Sequence, residues 1–145
     1  MKIRTLLTVL SLATLATAAQ AQWIAVQPGT VYGNAGETVT ATYNLYGSSY
    51  YGAGTYTVAT PCVAWLGAAP SAVSASVTDN SILVDYYPHY GYLIDNDDDV
   101  NITVTLTIPA GAVSGTSYSG TVYEPLVGTR AAYKNSVGNI VVTVN

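Results

Sequence analysis

The sequence predicts an all-β protein folded as an antiparallel β-sandwich. Val, Thr, Ile and Tyr dominate the stretches between turns, and these residues suit a pleated, half-buried surface. Several stretches alternate between apolar and polar residues, whereas no window after residue 21 has the 3.6-residue period of an amphipathic helix. The 13 tyrosines take the aromatic role in a chain that has no Phe. We therefore expect tyrosines such as Tyr43 and Tyr118 in the core.

Residues 1–21 have the pattern of a cleaved secretory signal peptide. Lys2 and Arg4 form a positively charged start, residues 5–15 are apolar, and Ala19 and Ala21 match the small residues before a cleavage site. The apolar stretch is shorter than the roughly 20 residues that span a bilayer. We expect one domain, residues 22–145, that is secreted and is extracellular or attached to the cell surface.

The charge balance excludes two classes of partner. Removal of residues 1–21 leaves two cations, Arg130 and Lys134, in a chain with eight acidic residues. Nucleic acids and anionic membranes both require a basic face, which two cations cannot form. No later apolar run is long enough for a membrane span. The expected partner is therefore a protein or a polysaccharide.

Alternation places the strands. Apolar side chains occupy the odd positions of residues 38–45 and the even positions of residues 101–108, with Thr and Asn between them. A period of two puts one face in the core and the other in water. Weaker candidates for strands are residues 23–26, 55–60, 63–66, 72–77, 82–87, 117–123 and 140–144. Short strands separated by Gly, Pro, Asn and Asp are typical of a β-sandwich.

Gly36-Glu37-Thr38-Val39-Thr40 resembles the second strand of bacterial extracellular immunoglobulin-like modules. Ile108-Pro109-Ala110-Gly111 with Gly120-Thr121-Val122 resembles the closing pair of strands of the same modules. The similarity covers residues 28–123 and places residues 124–145 beyond the last strand. Such modules occur beside secreted glycosidases and in surface proteins. The resemblance implies an immunoglobulin-like sandwich and leaves the activity open.

Residues for catalysis are scarce. Cys62 is the only cysteine, His89 is the only histidine, and Glu37 and Glu124 are the only glutamates. No nucleophile elbow or pair of zinc ligands is present. No sequence feature buries a glutamate, as a glycosidase acid requires. We expect no enzyme, with His89 in an exposed turn and Cys62 either buried or paired with another molecule.

Residues 95–99 are the strongest local anomaly, with four carboxylates in the run Asp-Asn-Asp-Asp-Asp. Calcium binds six to eight oxygens, and an Asp-x-Asp-x-Asp spacing can direct three carboxylates to one point. Asp95, Asp97 and Asp99 are therefore candidate calcium ligands. The EF-hand pattern fails, because its Gly and Glu positions hold other residues. Without an ion, the clustered charges favour a solvated hairpin tip.

Tyrosines are concentrated in residues 46–56 and 86–92, among Gly, Ser, Ala and Pro. Antibody paratopes use a similar composition, because Tyr gives a large amphipathic contact area with few rotatable bonds. Five tyrosines are difficult to bury together and are candidates for contact with a ligand or partner: Tyr50, Tyr51, Tyr87, Tyr90 and Tyr92.

Two functions follow. The first is a secreted, non-catalytic structural or adhesive cell-surface protein that self-assembles into filaments by strand exchange. It rests on residues 22–27 and 139–145, uncharged and Pro-free segments that would template another chain at a sheet edge. The alternative is a stand-alone carbohydrate-binding module with a tyrosine platform for sugars and a structural calcium ion.

Overall fold

The computed structural model describes residues 23–95, 100–128 and 135–145, and in these ranges the chain forms eleven β-strands in two sheets, with no helix. No helix in these ranges is long and apolar enough to cross a membrane. The predicted signal peptide lies outside them. The strands are β1 (Trp23–Val26), β2 (Val31–Gly33), β3 (Thr38–Ser48), β4 (Gly54–Thr57), β5 (Cys62–Leu66), β6 (Ser71–Val77), β7 (Ser81–Tyr87), β8 (Gly91–Ile94), β9 (Val100–Thr107), β10 (Ser117–Tyr123) and β11 (Ser136–Val144). The predicted all-β sandwich is confirmed.

The larger sheet has seven strands and is organised around β3. β1 pairs with β3 at residues 44–48, and β9 pairs with β3 at residues 38–45. β8 pairs with β3 where Gly47 faces Leu93. Because β1 already occupies one edge of β3 at these positions, β8 and β9 must follow one another along the other edge.

β6 and β7 extend the larger sheet beyond β9 and β8. β6 pairs with β9 and β7 pairs with β8, and β7 and β8 form a hairpin that turns at residues 88–90. β4 pairs with the other edge of β7. β8 and β9 pair with β3 and not with each other, and residues 96–99 between them lie outside the described residues.

The smaller sheet has the order β2-β11-β10-β5. β10 is antiparallel to both of its neighbours, but β2 is parallel to β11, with Val31 facing Val142. The prediction of a wholly antiparallel sandwich is wrong at this pair. A parallel pair needs a long connection, and most of the domain lies between these two strands.

The core lies between the two sheets and follows the predicted alternation. β3 and β9 contribute alternate residues to it: Val39, Ala41, Tyr43, Leu45, Val100, Ile102, Val104 and Leu106. Tyr43 and Tyr118 are both buried, as expected in a chain without Phe. The Tyr43 hydroxyl donates to the Asn139 carbonyl oxygen at 2.7 Å, which satisfies a polar group at the edge of the core.

Both terminal strands pair within their own chain. β1 pairs with β3, and β11 lies between β10 and β2. Residues 136–144 are therefore a central strand of the smaller sheet, although the resemblance placed them beyond the sandwich. Strand exchange would require β1 to leave β3, whereas β11 would have to leave two partners.

Candidate functional site

The two tyrosine-rich segments meet at one end of the larger sheet. The pairing of Gly47 with Leu93 places the β3–β4 loop beside the start of β8. A Cβ atom at Gly47 would lie 2.9 Å from the Tyr92 carbonyl oxygen, so this close approach requires glycine. A Cβ atom at Gly52 would lie 4.0 Å from Cε1 of Tyr92. The loop therefore packs against the hairpin.

The β7–β8 hairpin extends beyond the core. Ile82 and Val84 are fully buried, yet Tyr86, which shares their face of the strand, is exposed. Tyr86 faces Tyr92 across the hairpin, and their ring centroids lie 5.3 Å apart. Cross-strand aromatic pairs stabilise a hairpin. The face of the hairpin that continues the core-facing side of β7 therefore presents two rings in mutual contact to solvent.

The turn of this hairpin is exposed, as the sequence predicts for His89. Residues 88–90 form the turn, and the Tyr90 amide donates to the Tyr87 carbonyl oxygen at 3.0 Å. His89 has a φ of 72° and Gly91 a φ of 81°. A left-handed conformation favours glycine and is uncommon for histidine, so the turn holds Tyr90 outward at some conformational cost.

The β3–β4 loop is held on the core by an aromatic cluster of Trp23, Tyr51 and Tyr56. The ring centroid of Tyr51 lies 4.9 Å from those of both Trp23 and Tyr56. The Tyr51 hydroxyl donates to Oδ1 of Asn135. Ser48 Oγ accepts the amide of Tyr51 at 2.6 Å. The loop is thus anchored to the core, and Tyr51 is its anchor.

We define the tyrosine surface as Tyr50, Tyr86, Tyr90 and Tyr92, which are 71%, 57%, 78% and 40% exposed. Three of these were predicted contact residues. The two remaining predicted contact residues lie outside this surface. Tyr87 is exposed on the outer face of the hairpin, and Tyr51 is half-buried. Tyr86 was not among the predicted contact residues. The alternation along β7 places it on the same face as the buried Ile82 and Val84.

Asp95 lies at the end of β8, and its amide donates to the Leu83 carbonyl oxygen at 2.8 Å. Asp97 and Asp99 lie outside the described residues, so the calcium site stays a prediction. Within residues 23–95, 100–128 and 135–145, no group of three or more His, Cys, Asp or Glu side chains could hold a metal ion.

A melting experiment tests the calcium prediction. If Asp95, Asp97 and Asp99 bind calcium, a chelator should lower the melting temperature and added calcium should restore it, because the ion binds only the native state. Asp97→Asn should abolish this response, and Asp79→Asn, in another loop, should retain it. A melting temperature indifferent to calcium between micromolar and about 10 mM would contradict the prediction.

Glu124 is a buried carboxyl that the sequence reading did not identify. Its side chain is 0% exposed, and neither carboxylate oxygen has a hydrogen-bond partner among the described residues. Burial raises the pKa of Glu124 to about 8. Its backbone is well satisfied, because its amide donates to Asn135 and its carbonyl oxygen accepts Trp23 Nε1 at 3.1 Å.

Cys62 is half-buried at the start of β5, and not fully buried in the core as its apolar neighbours suggested. Burial, and next the charge of Glu124, raise the pKa of the Cys62 thiol. A raised pKa favours the thiol over the nucleophilic thiolate. A separate cleft of about 410 Å³ is lined by Val58–Pro61, Ser76, Val77 and Asn80, and none of these residues carries a carboxylate, imidazole or thiol.

No protein-family model matches the sequence, and no curated protein matches it. The solved structures that are similar to this chain include the following two. A family 123 glycoside hydrolase from Clostridium perfringens aligns with a TM-score of 0.47 and 8% identity, over 80% of this chain and 22% of that chain. The third cohesin of ScaC from Acetivibrio cellulolyticus, solved with the ScaB dockerin, aligns with a TM-score of 0.44 and 16% identity, over 83% of this chain and 97% of that chain.

Proposed function

We propose that this chain is a secreted, non-catalytic adhesive protein of the cell surface that binds a partner protein through the tyrosine surface. The observation that carries the proposal is the exposure of four tyrosines at one end of a sandwich. Tyrosine is enriched at protein interfaces and among the residues that contribute most to binding. Its amphipathic ring buries a large area and leaves a hydroxyl for hydrogen bonding.

The support beneath these rings favours binding with little loss of conformational freedom. Tyr50 packs edge-on against Tyr51, with ring centroids 5.3 Å apart. Tyr51 is in turn held by Trp23 and Asn135. Tyr86 and Tyr92 also contact each other, so three of the four rings have an aromatic contact before binding, which lowers the conformational entropy lost on binding.

The ring orientations favour a protein over a polysaccharide. Tyr86 and Tyr92 both belong to the tyrosine surface, and the planes of their rings are inclined by 58°. A flat sugar chain stacks best on rings that lie in one plane. Inclined rings make an uneven surface, which suits the side chains of another protein. The carbohydrate-binding module with structural calcium remains the alternative.

Self-assembly by strand exchange, and the immunoglobulin-like assignment, are further proposals that the adhesive function does not require. Strand exchange must displace β1 from residues 44–48 of β3. The tyrosine surface needs no such rearrangement, because its residues are exposed in the single chain. We therefore base the test of function on that surface.

A cell-binding assay tests this proposal. We expect fluorescently labelled residues 22–145 to bind intact cells of the producing organism, and protease treatment of those cells to abolish binding. The triple substitution Tyr50→Ser, Tyr86→Ser and Tyr92→Ser should weaken binding about tenfold or more, as loss of central aromatic contacts does. Tyr32→Ser is the matched control, because Tyr32 is 62% exposed on β2 of the other sheet.

Two results would contradict the protein-binding function. Equal losses for Tyr32→Ser and the triple variant would mean that binding does not use the tyrosine surface. Binding that survives protease but is lost after glycosidase treatment of the cells would favour the carbohydrate-binding module.

A further inference from the structure

We infer that the outer face of the β7–β8 hairpin binds an arginine- or lysine-containing segment of the partner protein, in a site formed by Tyr87, Asp85 and Asp95. This inference rests on the proposed function and names the chemistry of the partner. The three residues lie on the same hairpin as Tyr86 and Tyr92 of the tyrosine surface. They occupy the opposite face of that hairpin.

Strand alternation places the three residues on one face. On β7, Ile82 and Val84 point into the core, so Asp85 and Tyr87 share the solvent face. Asp85 pairs with Leu93. Asp95 lies two residues beyond Leu93 and thus continues the same face. Tyr87, Asp85 and Asp95 are all exposed.

The three side chains also interact. Tyr87 makes a side-chain hydrogen bond with Asp95 and lies within electrostatic range of Asp85, and these contacts, the hydrogen bond first, raise the pKa of the Tyr87 phenol. An aromatic ring is thus fixed beside two carboxylates. A guanidinium or ammonium group can stack on the ring and pair with the carboxylates, and each interaction reinforces the other.

The charge distribution indicates a cationic ligand. All four lysines and arginines of the sequence, at positions 2, 4, 130 and 134, lie outside the described residues. Residues 23–95, 100–128 and 135–145 therefore carry no Lys or Arg that could neutralise Asp85 and Asp95. Complementary charge on a partner would speed association and set the orientation of the bound segment.

Arginine should bind more strongly than lysine. The planar guanidinium stacks on an aromatic face and can donate to both oxygens of a carboxylate, whereas an ammonium acts as a compact, strongly hydrated charge. The site is exposed, so its affinity should decrease as added salt screens the charges.

A peptide titration tests the inference. Fluorescence anisotropy with residues 22–145 should show that a labelled hexa-arginine peptide binds more tightly than hexa-lysine, and that a Gly-Ser peptide of equal length does not bind. The double substitution Asp85→Asn and Asp95→Asn should weaken hexa-arginine binding about three- to tenfold, as loss of two exposed ion pairs does. Tyr87→Leu should weaken it about two- to fivefold, and Tyr87→Phe should retain binding, because it keeps the ring.

Matched controls separate a site from general attraction by an acidic protein. Asp79→Asn and Glu37→Gln each remove an acidic charge elsewhere and keep an oxygen that accepts the local backbone amide. Both should bind hexa-arginine as the unmodified chain does. Circular dichroism should show that every variant is folded. Equal weakening by the control variants, or hexa-arginine binding no tighter than the Gly-Ser peptide, would overturn the inference.

The cell-binding assay and the peptide titration can contradict the two proposals separately. Cell binding that depends on Tyr50, Tyr86 and Tyr92, without any hexa-arginine binding, would refute the cationic site and leave the adhesive function intact. Hexa-arginine binding that depends on Asp85 and Asp95, without any cell binding, would support the site and refute the adhesive function.

Discussion

Raising the pH from 5 to 9 is expected to lower the free energy of unfolding by roughly 4 kcal/mol through Glu124 alone. The pKa of this carboxyl is about 8 in the folded chain, against 4.5 for a solvated glutamate side chain. Between these values the unfolded chain has released the proton that the folded chain retains. Stability therefore falls with rising pH by up to about 1.4 kcal/mol per pH unit, and the loss is complete above the folded pKa.

The physical cause is the burial of a carboxylate without compensation. Oε1 and Oε2 of Glu124 are both buried and accept no hydrogen bond from the described residues. Ionisation would leave a charge in an apolar environment, which is far more costly than burial of the neutral acid. Protonation at low pH avoids that cost. A native carboxyl of this kind stabilises the fold only while it is neutral.

Denaturant unfolding at pH 5, 7 and 9 measures this effect. Glu124→Gln should remove most of the pH dependence, because the amide keeps the shape and cannot ionise. Its absolute stability is a poorer readout, since the buried amide would bring its own unsatisfied groups at a cost of about 1–3 kcal/mol. Glu37→Gln is the exposed control and should leave the pH dependence unchanged. A flat profile for the unmodified chain would show that Glu124 is ionised or paired in the native state.

The burial of Glu124 follows from a pattern that the sequence does contain. Along β10, Tyr118, Gly120 and Val122 are buried and their neighbours are less so. The same period of two extends past the end of the strand to Glu124. A charged residue in the inward register of a strand is thus a signal for a buried titratable group. It was missed because acidic residues are mostly exposed.

Alternation identified β3 and β9 most clearly, and no predicted strand corresponds to β2 or β8. β3 and β9 each bury one face, so every second residue is apolar, and their register could be recognised from the residues alone. β2 has three residues and β8 has four, too few to show a period. β8 exists because the turn at residues 88–90 returns the chain along β7. Such strands depend on their partners.

The composition of the candidate site was predictable, but its assembly was not. Tyr50 and Tyr92 belong to segments that are distant in the sequence, and the residues alone indicate only that both are rich in tyrosine. The register between Gly47 and Leu93 brings them together, and it depends on long-range strand pairing.

Substitution of Trp23 by alanine is expected to lower the free energy of unfolding by about 3–5 kcal/mol, as loss of a large buried aromatic side chain does. Trp23 is fully buried, and its ring centroid lies 4.9 Å from that of Tyr51 and 6.4 Å from that of Tyr56. Its indole Nε1 also donates to the Glu124 carbonyl oxygen. Truncation would therefore leave a cavity and remove a buried hydrogen bond. A loss of this size is a large fraction of the stability of an ordinary domain.

The same substitution distinguishes a self-contained sandwich from strand exchange. Val26→Ala is the matched control, because Val26 lies on the same strand and is 62% exposed, and it should change stability by less than about 0.5 kcal/mol. Deletion of residues 22–27 should likewise yield an unstable chain, and not the soluble, non-assembling species that strand exchange predicts. The measurement is urea unfolding of the monomer, with sizing at high protein concentration. If Trp23→Ala leaves the monomer as stable as before but prevents assembly, then Trp23 is buried in a neighbouring chain, and strand exchange is the correct account of β1.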